Sequence, residues 1–327
     1  MFKLGVYRED QYEQTSGFTA WLRRNRVSYQ LLRTSTPPSP AEIARFEELS
    51  RQILMPSGVY RMTTPQRFRD FNQFLNRILR RHFGPVALNV HDWAASDCGT
   101  SAAWFLSLTE QFPQATLTAS DLNLYLTEAR LTEGGTYIFD ANGAPLQYIK
   151  PPFVIRMSPP EPRLLLGNRL LQAGAEARLA RLRAQGELKV AELEFQGNEE
   201  LRRGPFVFRK ISMIHPTAEA LRQATRAFAI QRHSIFDPLA EPGDVIRTMN
   251  ILNVAYFDRD RLSLAARNVW RSLKPSGIWI VGRTIEENPP LHHASVMIRT
   301  TQGFQLLERH VEKSEVEDLA LALRLDQ

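Results

Sequence analysis

Val90–Ser101 reads VHDWAASDCGTS. The apolar run Val86–Val90 leads into it and predicts a short buried strand. Asp92 then stands at the carboxyl end of that strand. Ala94, Ala95, Ser96 and Gly99 are small, so the chain can turn tightly there and a ligand can approach the backbone closely. Ala102–Phe112 is apolar and long enough to be the helix that follows. In open α/β sheets this is where ligands sit, beyond the carboxyl ends of the strands. The phosphate-cradling spacing G-x-G-x-x-G is missing, which argues against a dinucleotide.

Downstream, Ala115–Ala119 predicts a second strand ending at Ser120-Asp121. An acid at that position, about twenty residues past the loop, can accept the two hydroxyls of a ribose. It can also cap a helix, and Leu122–Leu131 is expected to be helical, but the spacing to the loop favours the ribose role. Strand, loop, helix, strand and helix in this order predict a doubly wound, mostly parallel sheet. Around Asn142-Gly143, TYIFDANGAPLQYI reads as a hairpin. Leu164–Gln185 follows as an arginine-rich helix. These form an insertion at about 132–204.

The α/β pattern is expected to resume with a strand at Phe206–Ile211 and a helix at Thr217–Arg226. Strands at Ala227–Gln231 and Asp244–Met249 come next. Arg261–Leu273 predicts a helix capped by Asp258 or Asp260. LKPSGIWIVGR reads as a turn feeding an apolar strand. Ala294–Thr300 and Gly303–Glu308 complete the set, and Ser314 is the expected cap of a last helix, Ser314–Leu323. Upstream, residues 1–84 read as helical. Phe18–Leu32 and Ala41–Leu54 are separated by TPPSP at 36–40. Pro65–Phe83 follows, with Phe68, Phe71, Phe74, Leu75, Ile78 and Leu79 on one stripe. The domains expected are therefore 1–84 and 85–327.

This order of segments resembles the class I S-adenosylmethionine (SAM)-dependent methyltransferases, and LKPSGIWIV is similar to their turn before strand five. Within that class the details most resemble the chemotaxis receptor glutamate methyltransferases. WAASDCGTS, ASDLN (119–123), HSIFDP (233–238) and RTMNILNVAYFD (247–258) carry the likeness. VYRM (59–62) is similar to an arginine motif of theirs.

The resemblance implies a seven-stranded α/β methyltransferase domain with a helical N-terminal region and a β-hairpin/helix insertion. It implies SAM held by Asp92, Ala94, Ser96, Gly99, Asp121, Ser234, Ile235 and Asn250. Tyr256 and Arg61 would stand at the acceptor. The family has an acidic pair after the loop glycine; here Thr100-Ser101 replaces it, so the loop must use other contacts. The activity implied is methyl transfer to O or N of a small molecule. A protein glutamate is the alternative acceptor, and a non-catalytic SAM-binding or docking module the alternative role. A nucleic-acid acceptor is disfavoured, being carried only by the arginine-rich helices.

Composition narrows the remaining classes. The 327 residues are 43% hydrophobic and 23% charged, with a net charge of +6. That charge is small enough to read as a solvated surface. A single cysteine, Cys98, excludes an intramolecular disulfide and the usual zinc ribbons. The charged start MFKLGVYRED predicts no secretory signal, and no run is apolar enough for a membrane helix. A cytoplasmic protein is expected. The histidines show no metal-ligand spacing, and G-x-S-x-G is absent.

Overall fold

In a computed structural model of the protein, the structure describes residues 12, 17, 27–35, 37–53, 64–150, 153–158, 166–186, 188, 190, 193, 195, 200–287 and 289–324. In chain order the elements are α1 (Pro40–Ser50), α2 (Arg69–Phe83), β1 (Asn89–Trp93), α3 (Gly99–Thr109), β2 (Thr116–Asp121), β3 (Tyr125–Leu131), β4 (Thr136–Phe139), β5 (Pro145–Lys150) and β6 (Phe153–Arg156). They continue with α4 (Leu166–Ala184), β7 (Leu201–Arg203), β8 (Phe206–Ser212), α5 (Pro216–Ala224), β9 (Phe228–Arg232), β10 (Gly243–Met249), α6 (Arg259–Ser272), β11 (Leu273–Ile285), β12 (Leu291–Thr300), β13 (Gly303–His310) and α7 (Glu317–Ala322).

The chain divides into two compact units, each made of two segments. One holds residues 1–63 and 123–216, the other 64–122 and 217–327. The second unit is built on a sheet of order β13-β12-β11-β10-β1-β2-β9. Its strands β9, β2, β1, β10 and β11 run parallel. The chain then folds back twice, so β12 is antiparallel to β11 and β13 to β12. This is the expected mostly parallel α/β sheet.

One face of the sheet buries Trp93, Ile246, Trp279 and Val281 against Leu262, Val269 and Trp270 of α6. Asp258 starts that helix by accepting from the Arg261 N–H at 2.8 Å, which decides between the two expected caps. Helices α2 and α3 are joined through Asn76, which accepts from Trp104 Nε1 at 3.0 Å and donates to the Ser107 carbonyl at 3.1 Å. The phenylalanine stripe of α2 meets the edge hairpin. Phe68 and Phe71 pack on His292, and Phe71 and Phe74 on His310, with ring centroids 4.7–5.6 Å apart.

The first unit is a separate antiparallel sheet of order β6-β5-β4-β3-β8-β7. The Asn142-Gly143 hairpin forms between β4 and β5 as expected, closed by Asp140, whose side chain accepts from the Asn142 and Ala144 N–H groups. Two expectations fail here. Tyr125–Leu131 is strand β3, not a helix, and it pairs with β4 and β8. Its alternate residues bury into two different cores, Leu126 with Val27 and Phe46, Ala129 and Leu131 with Leu179 and Phe208. Its buried set includes Thr127 and Glu128, so YLTEARL lacks the apolar alternation of a half-buried strand, and its pattern alone does not separate it from a helix. Likewise Phe206–Ser212 is a strand, but it belongs to this sheet and not to the parallel one.

Smaller differences are local. The described part of Phe18–Leu32 ends in a 3-10 turn, Tyr29–Leu32, begun by the Ser28 side chain. Helix α1 starts at the expected break, with Ser39 and Glu42 forming a reciprocal cap. Ser314 does not cap the last helix with its side chain; that helix begins after Val316, without a side-chain cap.

Candidate functional site

The carboxyl ends of β1, β2, β9 and β10 lie at one edge of the parallel sheet. Register places Trp93 beside Ser120 on one side and Thr248 on the other, and Asp121 beside Arg232. The residues just past these positions therefore come together. They are Ala94–Ser96, Asp121, His233-Ser234 and Asn250. All except the buried Ala95 are half-buried.

The loop after β1 has an unusual backbone. Ala94, Ser96 and Cys98 have φ of 56°, 58° and 63°. Left-handed backbone disfavours any side chain, by about 1–2 kcal/mol per residue. Three alternating residues hold it here, and Asn250 at the end of β10 shares it with φ of 63°. Such conformations persist where surrounding contacts over-determine them, and they cluster at functional sites.

Those contacts are present. The Ala95 N–H donates to the Ser120 carbonyl at 2.9 Å. The Ser96 N–H donates to Asp121 Oδ2 at 2.9 Å. Asp97 is buried and accepts from the Gly99 N–H at 2.9 Å. Asn250 is held in turn by β11: its N–H donates to the Gly282 carbonyl at 2.8 Å, and its Oδ1 accepts from the Thr284 N–H at 2.6 Å. Thr284 continues to His292 Nδ1, and His292 Nε2 reaches the Arg67 carbonyl at 3.0 Å. A carbonyl only accepts, so the Nε2 carries a proton. Burial holds its pKa below the usual histidine value.

The β9 end is a tight turn. The His233 N–H donates to the Asp121 carbonyl, and the Ser234 hydroxyl accepts from the Phe236 N–H at 3.2 Å. Ile235 is buried in the core with Trp93. The His233 ring packs on Trp93 at 4.7 Å between centroids. Two buried ring nitrogens here, Trp93 Nε1 and His233 Nε2, have no hydrogen-bond partner among the described residues.

Asp92 is placed differently from the other loop residues. It is 3% exposed, and both its oxygens are engaged inside the sheet–helix layer. Arg247 of β10 donates to it from Nε at 2.9 Å and from Nη2 at 2.5 Å, and Ser101 donates its hydroxyl at 2.5 Å. Asp92 thus has no face toward the open edge, and sequence reasoning missed its partner. A signal was present: DVIRTM sets an arginine inside a buried-strand candidate, and a buried cation requires a buried acid.

Tyr256 lies on the loop after β10, its ring 6.5 Å from that of Phe257, which packs on Phe236 of the β9 turn at 5.2 Å. Tyr256 is 42% exposed. Asn253 shapes the loop by accepting from the Ala255 and Tyr256 N–H groups at 3.1 Å. Arg61 lies outside the described residues. Among the described residues, no three His, Cys, Asp or Glu side chains are grouped to hold a metal.

No protein-family model matches the sequence, and no curated protein matches it. Solved structures give distant likenesses. A sugar N-methyltransferase from Streptoalloteichus is 12% identical, with 77% of each chain covered and a TM-score of 0.31. The N-methyltransferase NodS from Bradyrhizobium japonicum is 10% identical over 66% of this chain and 67% of its own, with a TM-score of 0.28. An O-methyltransferase of neocarzinostatin biosynthesis, in complex with S-adenosyl-L-homocysteine, is 12% identical over 67% of this chain, with a TM-score of 0.25. The chain spans 41% of that protein's length. Superposition at this level carries no function across, so the chain's own residues must carry it.

Proposed function

We propose that the protein is a SAM-dependent methyltransferase acting on O or N of a small-molecule acceptor. The observation that supports this best is the bond from the Ser96 N–H to Asp121 Oδ2. It joins a tight loop of half-buried small residues to an acid at the end of the next strand. That is the arrangement a nucleoside with a free ribose diol requires. The residues present fit SAM. Asp121 supplies the acceptor for the ribose hydroxyls, and Ala94 and Ser96 keep the loop low enough for close approach. The turn at His233–Phe236 offers an apolar wall for a base.

SAM, when bound, supplies an activated methyl group on a sulfonium. The chain has then only to orient an acceptor in line with that methyl and exclude water. Asp121 would fix the nucleoside, Asn250 the end of β10 beside it, and Tyr256 would contact the acceptor. No described residue is needed as a covalent intermediate.

Calorimetry with SAM and S-adenosyl-L-homocysteine tests the reading. Micromolar or tighter binding of both is expected, and absence of binding by the folded wild-type protein overturns it. A protein glutamate remains the second acceptor class, on the sequence likeness of Asn250 and Tyr256. It predicts base-labile methyl ester on a protein after incubation with labelled SAM.

A further inference from the structure

Arg247 lies in mid-strand with 1% of its surface exposed, and four groups surround its guanidinium. Nε and Nη2 form a fork on Asp92, while Nη1 donates to Asn72 Oδ1 at 3.0 Å. The Trp104 ring lies 4.1 Å from the guanidinium carbon and the Phe68 ring 5.5 Å. Such a pair is expensive to bury. Replacing a buried ion pair by apolar residues of similar volume is often neutral or stabilising, so stability alone gives no reason for it.

Position gives one. Asp92 is the last residue but one of β1, and Ser101 is in the first turn of α3. The Ser101 hydroxyl donates to the same Asp92 carboxylate that Arg247 grips from β10. The two ends of segment 93–100 are thereby tied to one point. Between them lie Ala94, Ser96 and Cys98, all in left-handed backbone that glycine would adopt without penalty. A loop that takes this path with non-glycine residues at its three left-handed positions needs its ends held.

We propose that Arg247 is a positioning residue for the cofactor loop, acting through Asp92 and Ser101 to hold residues 94–98 in the ligand-ready path. The proposal rests on the methyltransferase reading only for the identity of the ligand.

Cys98 is the sole cysteine of the chain, fully buried within the loop, so its thiol reports on the loop without any ligand. The experiment compares wild type, the double variant Asp92→Asn/Arg247→Met, and Arg247→Lys. It measures the urea midpoint, the rate of Cys98 labelling by a thiol reagent, and SAM affinity. The double variant removes both charges together. It is expected to keep a midpoint near wild type, to label at least about tenfold faster, and to bind SAM at least about tenfold more weakly. A merely structural pair would leave labelling and affinity tracking the midpoint.

Wild-type labelling and affinity in a stable double variant would overturn the proposal. If the double variant does not fold, Arg247→Lys decides. It keeps the charge and loses the fork, so labelling faster than any fall in the midpoint accounts for is expected, and unchanged labelling refutes the role. If wild type binds no SAM, the methyltransferase reading falls while the labelling result still judges Arg247.

Discussion

The main-chain N–H of Ser96 donates to Asp121 Oδ2 at 2.9 Å, across a sequence separation of 25 residues. One carboxylate therefore serves two tasks at the sheet edge. It pins the loop after β1, and in the proposed function it accepts the ribose.

The two tasks separate by substitution. Asp121→Ala removes both and is expected to weaken SAM binding more than about tenfold, the scale of one or two hydrogen bonds to a charged group. Asp121→Asn keeps an oxygen for the Ser96 N–H and should lose less. Equal affinities for wild type and the alanine variant, measured by calorimetry on folded protein, would count against the ribose role.

Left-handed backbone at Ala94 makes its own prediction. Ala94→Gly relieves strain of about 1–2 kcal/mol but adds freedom to the unfolded chain worth about 0.4–1 kcal/mol. Stability should stay level or rise slightly. Ala94→Val puts a β-branched side chain at φ of 56° and should cost about 1–3 kcal/mol. Urea unfolding measures both; a valine variant as stable as the glycine one refutes the backbone assignment.

His91 predicts a pH dependence. It is buried on β1, neither ring nitrogen has a partner among the described residues, and burial lowers its pKa from 6.5 to about 4, with the neighbouring His233 adding to the effect. Because the folded value lies below the unfolded one, the unfolded chain takes up the proton first as pH falls. The associated stability is fully present above pH 6.5. It is lost progressively toward pH 4, by up to about 3 kcal/mol. His91→Leu should flatten unfolding free energy over that window. An identical pH slope in the variant would refute the assignment.

Asn250 predicts a split between backbone and side chain. Asn250→Gly keeps the left-handed path and loses the bond to the Thr284 N–H. Asn250→Ala loses the bond and keeps the strain, so it should be the less stable of the two, by about 1 kcal/mol. In the same network, NMR of His292 is expected to show the Nε2–H tautomer and a pKa below 6.5. An Nδ1–H tautomer, with Nε2 bare, would contradict the bond to the Arg67 carbonyl.

The sequence by itself determined which residue types stand at the candidate site. Small residues after a strand, an acid at the end of the next, and a turn at 233–238 are short-range patterns, and the structure brings them to one edge. It also determined the run of parallel strands, because apolar stretches alternating with helical periods have few other solutions. Only tertiary structure decided that Tyr125–Leu131 is a strand, since its two faces are covered by different cores and its pattern alone suits a helix. The partner of Asp92 was likewise decided by the fold. Arg247 lies 155 residues away, and no local rule joins them; the parallel register of β1 and β10 sets them side by side. Pairing across a sheet depends on which strands become neighbours, and that depends on how every apolar face in the unit is buried at once.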